Sequence, residues 1–401
     1  MPDERPQARS NKIATALMGL LLVIGFYFPT SMAETISVPL QVITGLMLFP
    51  ILIALLVRRG GVLSSFAVVN GLAINVILLT CTLFSPLTDM AYGGYLSILL
   101  LSVLFCVNVK DIQLTPTARR IFDVANAINL TLAALQLLQV PMVTQLLRAN
   151  YAFGYDELVP LMLQEGKPVL TFGSHSLAGF FFYLLFYVTL QTFIATRSKL
   201  NLVFAFCYLA LLIPMHSFTA LVFTGLAVVQ LVLCFQWNKT AIAGLIAAAL
   251  VVATLVVSPQ LVSDFKEDMI EVSQSQGNGL LGRYSEFGGL AANFEFIASH
   301  PFRPIGLGKS WRLWYSDSGP AEYILKGSLP LLVAVYMGAF LFFRKNLRSK
   351  REALFLYLVF LSFEVGYSNL EYIRTQYFLP FLMVYLNGLK TTTSTQVWRR
   401  I

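Results

Sequence analysis

The chain has 401 residues, of which 57% are hydrophobic and only 12% charged, and a water-soluble globule cannot be covered with so few charges. Its formal net charge is +8, from 28 Lys and Arg against 20 Asp and Glu. Composition and positive mean hydropathy exclude an ordinary soluble enzyme and predict an all-α polytopic membrane protein, because a spanning segment must satisfy its own backbone hydrogen bonds.

Apolar runs long enough to cross hydrocarbon, about 17–25 residues each, lie near 12–29, 36–57, 62–84, 92–108, 121–140 and 172–195. Six more follow near 200–215, 218–235, 241–258, 323–343, 353–370 and 375–390. The expected architecture is about twelve transmembrane helices in one integral domain over residues 1–401, with both termini cytoplasmic. Short loops on the inner side should then be rich in Lys and Arg. All but Arg148, Lys167, Lys266, Arg283, Arg303, Lys309, Arg312, Lys326 and Arg374 fall inside, so the positive charge is topological and no nucleic-acid partner is needed. Thr30–Glu34 vaguely resembles a signal-peptidase site; removing the first segment would leave every later loop on its side. Cys81, Cys106, Cys207 and Cys234 lie in or beside apolar runs, a pattern that argues against a disulfide framework or a zinc site.

Two loops on the outer side are long, 141–171 and 259–322. No internal repeat is evident, which weighs against a transporter or flippase, as does the gathering of ionisable residues at one face. In the larger loop, Tyr284–Ser299 reads as a helix that stops at His300, where Pro301 disfavours further helix. Phe287, Leu290, Ala291, Phe294 and Ile297 form its apolar stripe, with Glu286, Asn293 and His300 along one polar rim and Arg283 a turn earlier. An amphipathic helix on the membrane surface would show the same pattern.

The stretch from Arg283 through "SHPFRPIGLG" to "DSGPAEYILKGSLPLLVAVYMG", Asp317 to Gly338, resembles the O-antigen polymerase and ligase superfamily of bacterial envelope glycan assembly. "GKPVLTFGSHSLAGFFF", Gly166 to Phe182, is similar to a second motif of that family, and "HSFTALV", His216 to Val222, more weakly to a third, without the arginine that relatives carry there. The resemblance implies a membrane-embedded, C-type glycosyltransferase at the outer face of the bacterial cytoplasmic membrane. Donor and acceptor would be glycans on undecaprenyl diphosphate; membrane lipid and a chain-length regulator protein would be its further partners.

No Asp-x-Asp occurs in the chain, so the carboxylate pair that holds a metal on a sugar diphosphate is missing, and the expectation is a metal-independent reaction without cofactors. Fixed cations would take the metal's place, since the guanidinium fork meets phosphate oxygens bidentately. Arg283 is the first choice for the donor diphosphate, with Arg303, Arg312 and Lys309 in support; lipid head groups are their alternative partners. Gly306 and Gly308 would let backbone approach phosphate, or simply shape the loop.

The base that takes the acceptor's proton is sought among Asp317, Glu286 and His300, with helix capping as the alternative for Asp317. His175 and His216 are candidate substrate-binding residues. Glu364, inside an apolar run, either lines the acceptor cavity or pairs structurally with neighbours on a face shared with Tyr367, Glu371 and Arg374. Ligases of the family carry His-Asn where this chain has Asp317-Ser318, which favours the polymerase branch over the ligase.

Overall fold

In a computed structural model of the protein, the described residues are 4–29, 40–57, 65–89, 92–112, 115–152, 167–215, 217–234, 284, 290–300, 303–310, 313 and 318–397. Among them the chain is all-α. The helices are α1 (Glu4–Tyr27), α2 (Leu40–Val57), α3 (Ser65–Leu83), α4 (Tyr92–Cys106), α5 (Pro116–Leu137) and α6 (Pro141–Leu147). They continue with α7 (His175–Thr196), α8 (Lys199–Leu212), α9 (Phe218–Cys234), α10 (Ala291–Ser299), α11 (Gly319–Asn346), α12 (Lys350–Glu364) and α13 (Ile373–Val397). Each predicted apolar run falls on a helix except 241–258, which lies outside the described residues. The helices α3, α7 and α11 are long and apolar enough to cross a membrane. A further crossing is available from α5 and α6 together, bent by 114° at their junction.

What these helices meet on the outside is legible in α3. Its buried face is Ala67, Gly71, Ile74 and Leu78, at helical spacing. Its exposed face is equally apolar: Phe66, Val69, Leu72, Val76 and Leu79. A helix in water turns polar residues outward, so this face suits hydrocarbon. In α11 the exposed Leu329, Val333 and Met337 repeat the pattern every four residues.

The core is built around α7, which is apolar on all sides and buried on all sides from Leu177 to Leu190. It packs on α8, α9 and α13, and ring stacking locks it in place: Phe181 on Phe172 at 4.5 Å, Phe180 on Phe363 at 4.4 Å. Ser174 starts the helix by accepting a hydrogen bond from the Leu177 amide, the N-cap that satisfies one of the amides the first turn leaves open.

Polar linkages collect at the two ends of the bundle. At one end the Asn346 side chain accepts from the Val109 amide at 2.6 Å and donates to the Val107 carbonyl. Nearby, Asn387 binds the backbone of Asn346 and Arg348, and Lys390 pairs with Glu352. At the other end Arg374, only 1% exposed, donates to the carbonyls of Gly25 and Phe26 and places its guanidinium 5.5 Å from the Tyr151 ring centre. A cation on the last carbonyls of α1 satisfies groups that the helix itself leaves open.

Candidate functional site

The second of these ends holds a broken helix. Within α11, Gly327 (φ −151°, ψ 19°) and Ser328 (φ 57°, ψ −166°) leave helical geometry, so the element is a half-helix up to Lys326 followed by a longer one. The sequence explains the break. Pro330 has no amide to give the Lys326 carbonyl four residues back, and its ring disfavours helix just before it. Two carbonyls are thereby released, each costing ~1–3 kcal/mol if buried without a partner. Both are taken up by the Pro304–Gly308 turn: the Ile305 amide donates to Leu325 at 2.9 Å and the Gly306 amide to Lys326 at 3.0 Å.

That turn is wedged against the end of α3. Gly306 has φ +58°, and a Cβ on it would lie 2.3 Å from the Thr82 amide nitrogen, so no other residue fits. The next amide, of Leu307, donates to the Thr82 hydroxyl. A Cβ on Gly308 would come within 2.8 Å of the Ile305 carbonyl oxygen, Leu87 and Ser85, and the Gly308 amide donates to the Ile305 carbonyl. Of the two readings of these glycines, this geometry accounts for loop shape: the amides of Gly306 and Gly308 are used within the protein.

On the half-helix, Glu322 and Lys326 stand one turn apart and both are buried. The Lys326 ammonium donates to Glu322 at 2.5 Å and to Glu371, from the connector between α12 and α13, at 2.7 Å. Two carboxylates thus share one ammonium in a site 8–9% exposed. Burial, and next the charge of Glu322, push the Glu371 carboxyl up to about 7 against the opposing pull of Lys326. The second Glu371 oxygen and the Tyr323 hydroxyl are buried with no hydrogen-bond partner among the described residues.

Glu364 lies at the same end and is fully buried. One oxygen accepts the Leu370 amide at 2.5 Å; the other rests against Gly319, where a Cβ would be 1.8 Å away, and within 3.5 Å of the Tyr336 hydroxyl. Its carboxylate closes the turn that follows α12, which is the structural one of its two readings. The partners expected for it are corrected. Because α12 ends at Glu364, Tyr367, Glu371 and Arg374 do not continue its face; Glu371 goes to Lys326 and Arg374 to the end of α1.

The loop helix begins later than expected, at Ala291, and ends as expected at His300, whose amide bonds the Phe296 carbonyl. Its faces differ from the predicted ones. Asn293, placed on the polar rim, is fully buried, and Phe294, placed on the apolar stripe, is 37% exposed. The buried side instead runs through Leu290, with Phe296 and Ile297 packed on Ile305, Leu313 and Leu325. His300 is stacked on Phe296 at 4.6 Å, with Nδ1 2.9 Å from the Ser299 hydroxyl; its ring is held by its own helix.

Of the remaining candidates, Arg303 and Lys309 are exposed on either side of the glycine turn, and the Lys309 amide donates to the Asp89 carbonyl at 2.7 Å. His175 is the first residue of α7, half-buried. Arg283, Glu286, Arg312, Asp317 and His216 lie outside the described residues. The chain neighbours of two of them meet, however: Tyr284 donates to the Val365 carbonyl at 2.6 Å and lies 2.5 Å from the Ser318 hydroxyl, which also caps α11 by accepting the Ala321 amide. Since the one phenolic hydrogen goes to Val365, Ser318 donates to Tyr284.

Sequence reasoning passed over Glu322, counted Lys326 only as an outer basic residue, and took Glu371 only as a neighbour of Glu364. The signal was present as Glu-x-x-x-Lys at i, i+4 spacing directly before Gly-Ser-x-Pro, a charged pair ahead of a helix breaker at the mouth of an apolar run. In comparisons with known proteins, no family model, no curated protein and no solved structure matches this chain.

Proposed function

We propose that the protein is a membrane-embedded glycosyltransferase that polymerises undecaprenyl-diphosphate-linked repeat units into a surface polysaccharide, O-antigen or similar, at the outer face of a bacterial cytoplasmic membrane. The observation that carries the reading is the Tyr284–Ser318 contact at 2.5 Å. Two parts of the stretch that carries the main family resemblance, more than thirty residues apart, are tied together beside a buried charge cluster. In the proposed reaction an acceptor hydroxyl oxygen bonds to the donor's anomeric carbon as the bond from that carbon to the diphosphate breaks. Undecaprenyl diphosphate leaves with the electron pair, and the hydroxyl proton passes to a base. Arg283 holds the diphosphate, where a fixed cation stabilises charge that grows in the transition state; Asp317 is the base of first choice.

The reading includes twelve spans with both termini inside. The grouping of Asn346, Glu352 and Lys390 at one end of the bundle, and of Thr82, Lys326 and Arg374 at the other, supports that alternation for the described helices.

The test is elongation of a lipid-linked repeat unit by the purified protein, with chelator present. Product should form in chelator, and Arg283→Ala and Arg283→Lys should both abolish it while inserting normally, because lysine keeps the charge but loses the fork. A deletion strain should display single repeat units. If long polymer instead persists on undecaprenyl diphosphate and only its transfer to lipid A-core fails, the protein is a ligase.

A further inference from the structure

Beside the helix break, a cavity of about 240 Å³ opens between α10, the chain that follows the glycine turn and Leu87 after α3, lined besides Leu87 by Ala292, Glu295, Phe296, Ser299, Ser310 and Leu313. Of this lining, Leu87, Phe296 and Leu313 belong to the apolar cluster that Ile305 and Leu325 complete, and Leu325 directly precedes Lys326 of the charge cluster. We infer that this cavity binds one pyranose ring of the glycan, an inference that rests on the proposed function for the identity of that glycan.

The argument is chemical complementarity. A pyranose has faces of C–H groups and a rim of hydroxyls, so its site needs an apolar surface flanked by acceptors and donors in a small concavity. The lining supplies each. Phe296 presents an aromatic ring whose position is fixed by the His300 imidazole stacked on it, 20° from parallel, and Leu313 extends the apolar surface. Glu295, one residue away on the same helix, projects a carboxylate with two acceptor oxygens, the group suited to two neighbouring hydroxyls. Ser299 and Ser310 carry hydroxyls on the two sides of the opening. The Ser299 hydroxyl donates within its own helix and stands 2.9 Å from His300 Nδ1, which leaves one lone pair to accept from a ligand.

A lipid chain would be served by an apolar groove and gains nothing from Glu295. A phosphate would be repelled by it. The volume suits about one ring, and a ligand of so few atoms binds with a Kd on the order of millimolar, so the assay must detect weak contact.

The experiment is saturation-transfer NMR on the full-length protein in detergent, with methyl glycosides of glucose, galactose, N-acetylglucosamine and rhamnose as probes. At least one should receive saturation at its ring C–H protons. Phe296→Ala and Glu295→Ala should each weaken it by about tenfold, while Phe294→Ala, an exposed aromatic on the same helix outside the cavity lining, should leave it unchanged. Gel filtration establishes that each variant is folded. No transfer to any glycoside, or transfer indifferent to both cavity substitutions, overturns the inference. Elongation of lipid-linked units is scored separately: binding lost in the cavity variants without elongation by the wild type would sink the polymerase reading and leave the sugar site standing, and elongation with no sugar contact would do the reverse.

Discussion

Replacing Lys326 by methionine keeps the length and packing of the side chain and removes the one ammonium that stands between Glu322 and Glu371. The cost has an upper bound, because a buried carboxylate that loses this ammonium can take up a proton. For a carboxyl whose ordinary value is 4.5, that costs ~3 kcal/mol at pH 7, at ~1.36 kcal/mol per pH unit. For Glu371, whose carboxyl burial already pushes up in the intact cluster, it costs less. The expected loss is therefore up to ~3–4 kcal/mol, the lower part of the ~3–5 kcal/mol typical when one partner of a buried pair is removed. With an unfolding entropy of ~2.1 cal/mol/K per residue over 401 residues, Tm should fall by up to ~4–5 °C. The sign of the pH dependence follows from the same protons. In the variant the folded state binds protons more tightly than the unfolded state, so its stability relative to wild type recovers as pH falls, by ~2 kcal/mol between pH 7 and 5.5. Thermal unfolding in detergent, followed by tryptophan fluorescence at both pH values, measures the two gaps. A variant as stable as wild type at pH 7, or a deficit that does not narrow on acidification, would refute the shared-ammonium account.

Two further outcomes test the helix break. Gly306→Ala should prevent correct folding, since its φ of +58° and the 2.3 Å approach to Thr82 allow no methyl, while Gly225→Ala, with nothing within 4 Å, should be tolerated; yield of monodisperse protein compares them. Ser328→Gly should raise Tm, because a non-glycine residue at φ 57°, ψ −166° carries strain on the order of 1–3 kcal/mol; an unchanged or lower Tm would place no strain there.

Helix positions were legible in the sequence because hydrophobic run length alone sets them, as α7 and α9 illustrate. The stop at His300 was legible for an equally local reason, the proline after it. What escaped was set by distant partners. Asn293 reads as polar surface, yet it is buried, because the helix is rotated to pack Phe296 and Ile297 on residues from two other segments. Lys326 reads as a loop cation, and only Glu371, forty-five residues further on, reveals that it is held inside. A helical continuation past Glu364 was expected from apolar composition; the carboxylate ended it by binding the Leu370 amide, a contact that no periodicity encodes.

The glycines and the charges of the resembling segments therefore do different work, although they stand together in the sequence. Gly306 exists to let the turn enter between α3 and the break in α11, and the turn exists to occupy carbonyls that Pro330 leaves open. Without the break, a continuous helix would carry Leu329 directly after the turn of Lys326, and the Leu325 and Lys326 carbonyls would face inward along the helix axis with no place for Ile305 and Gly306. The half-helix ahead of the break is what brings Glu322 and Lys326 to the Glu371 connector while the following half presents Leu329, Val333 and Met337 outward. One chain segment thus serves two media, a buried ionic cluster and an apolar exterior, and a motif that looks like phosphate-binding backbone is the joint between them.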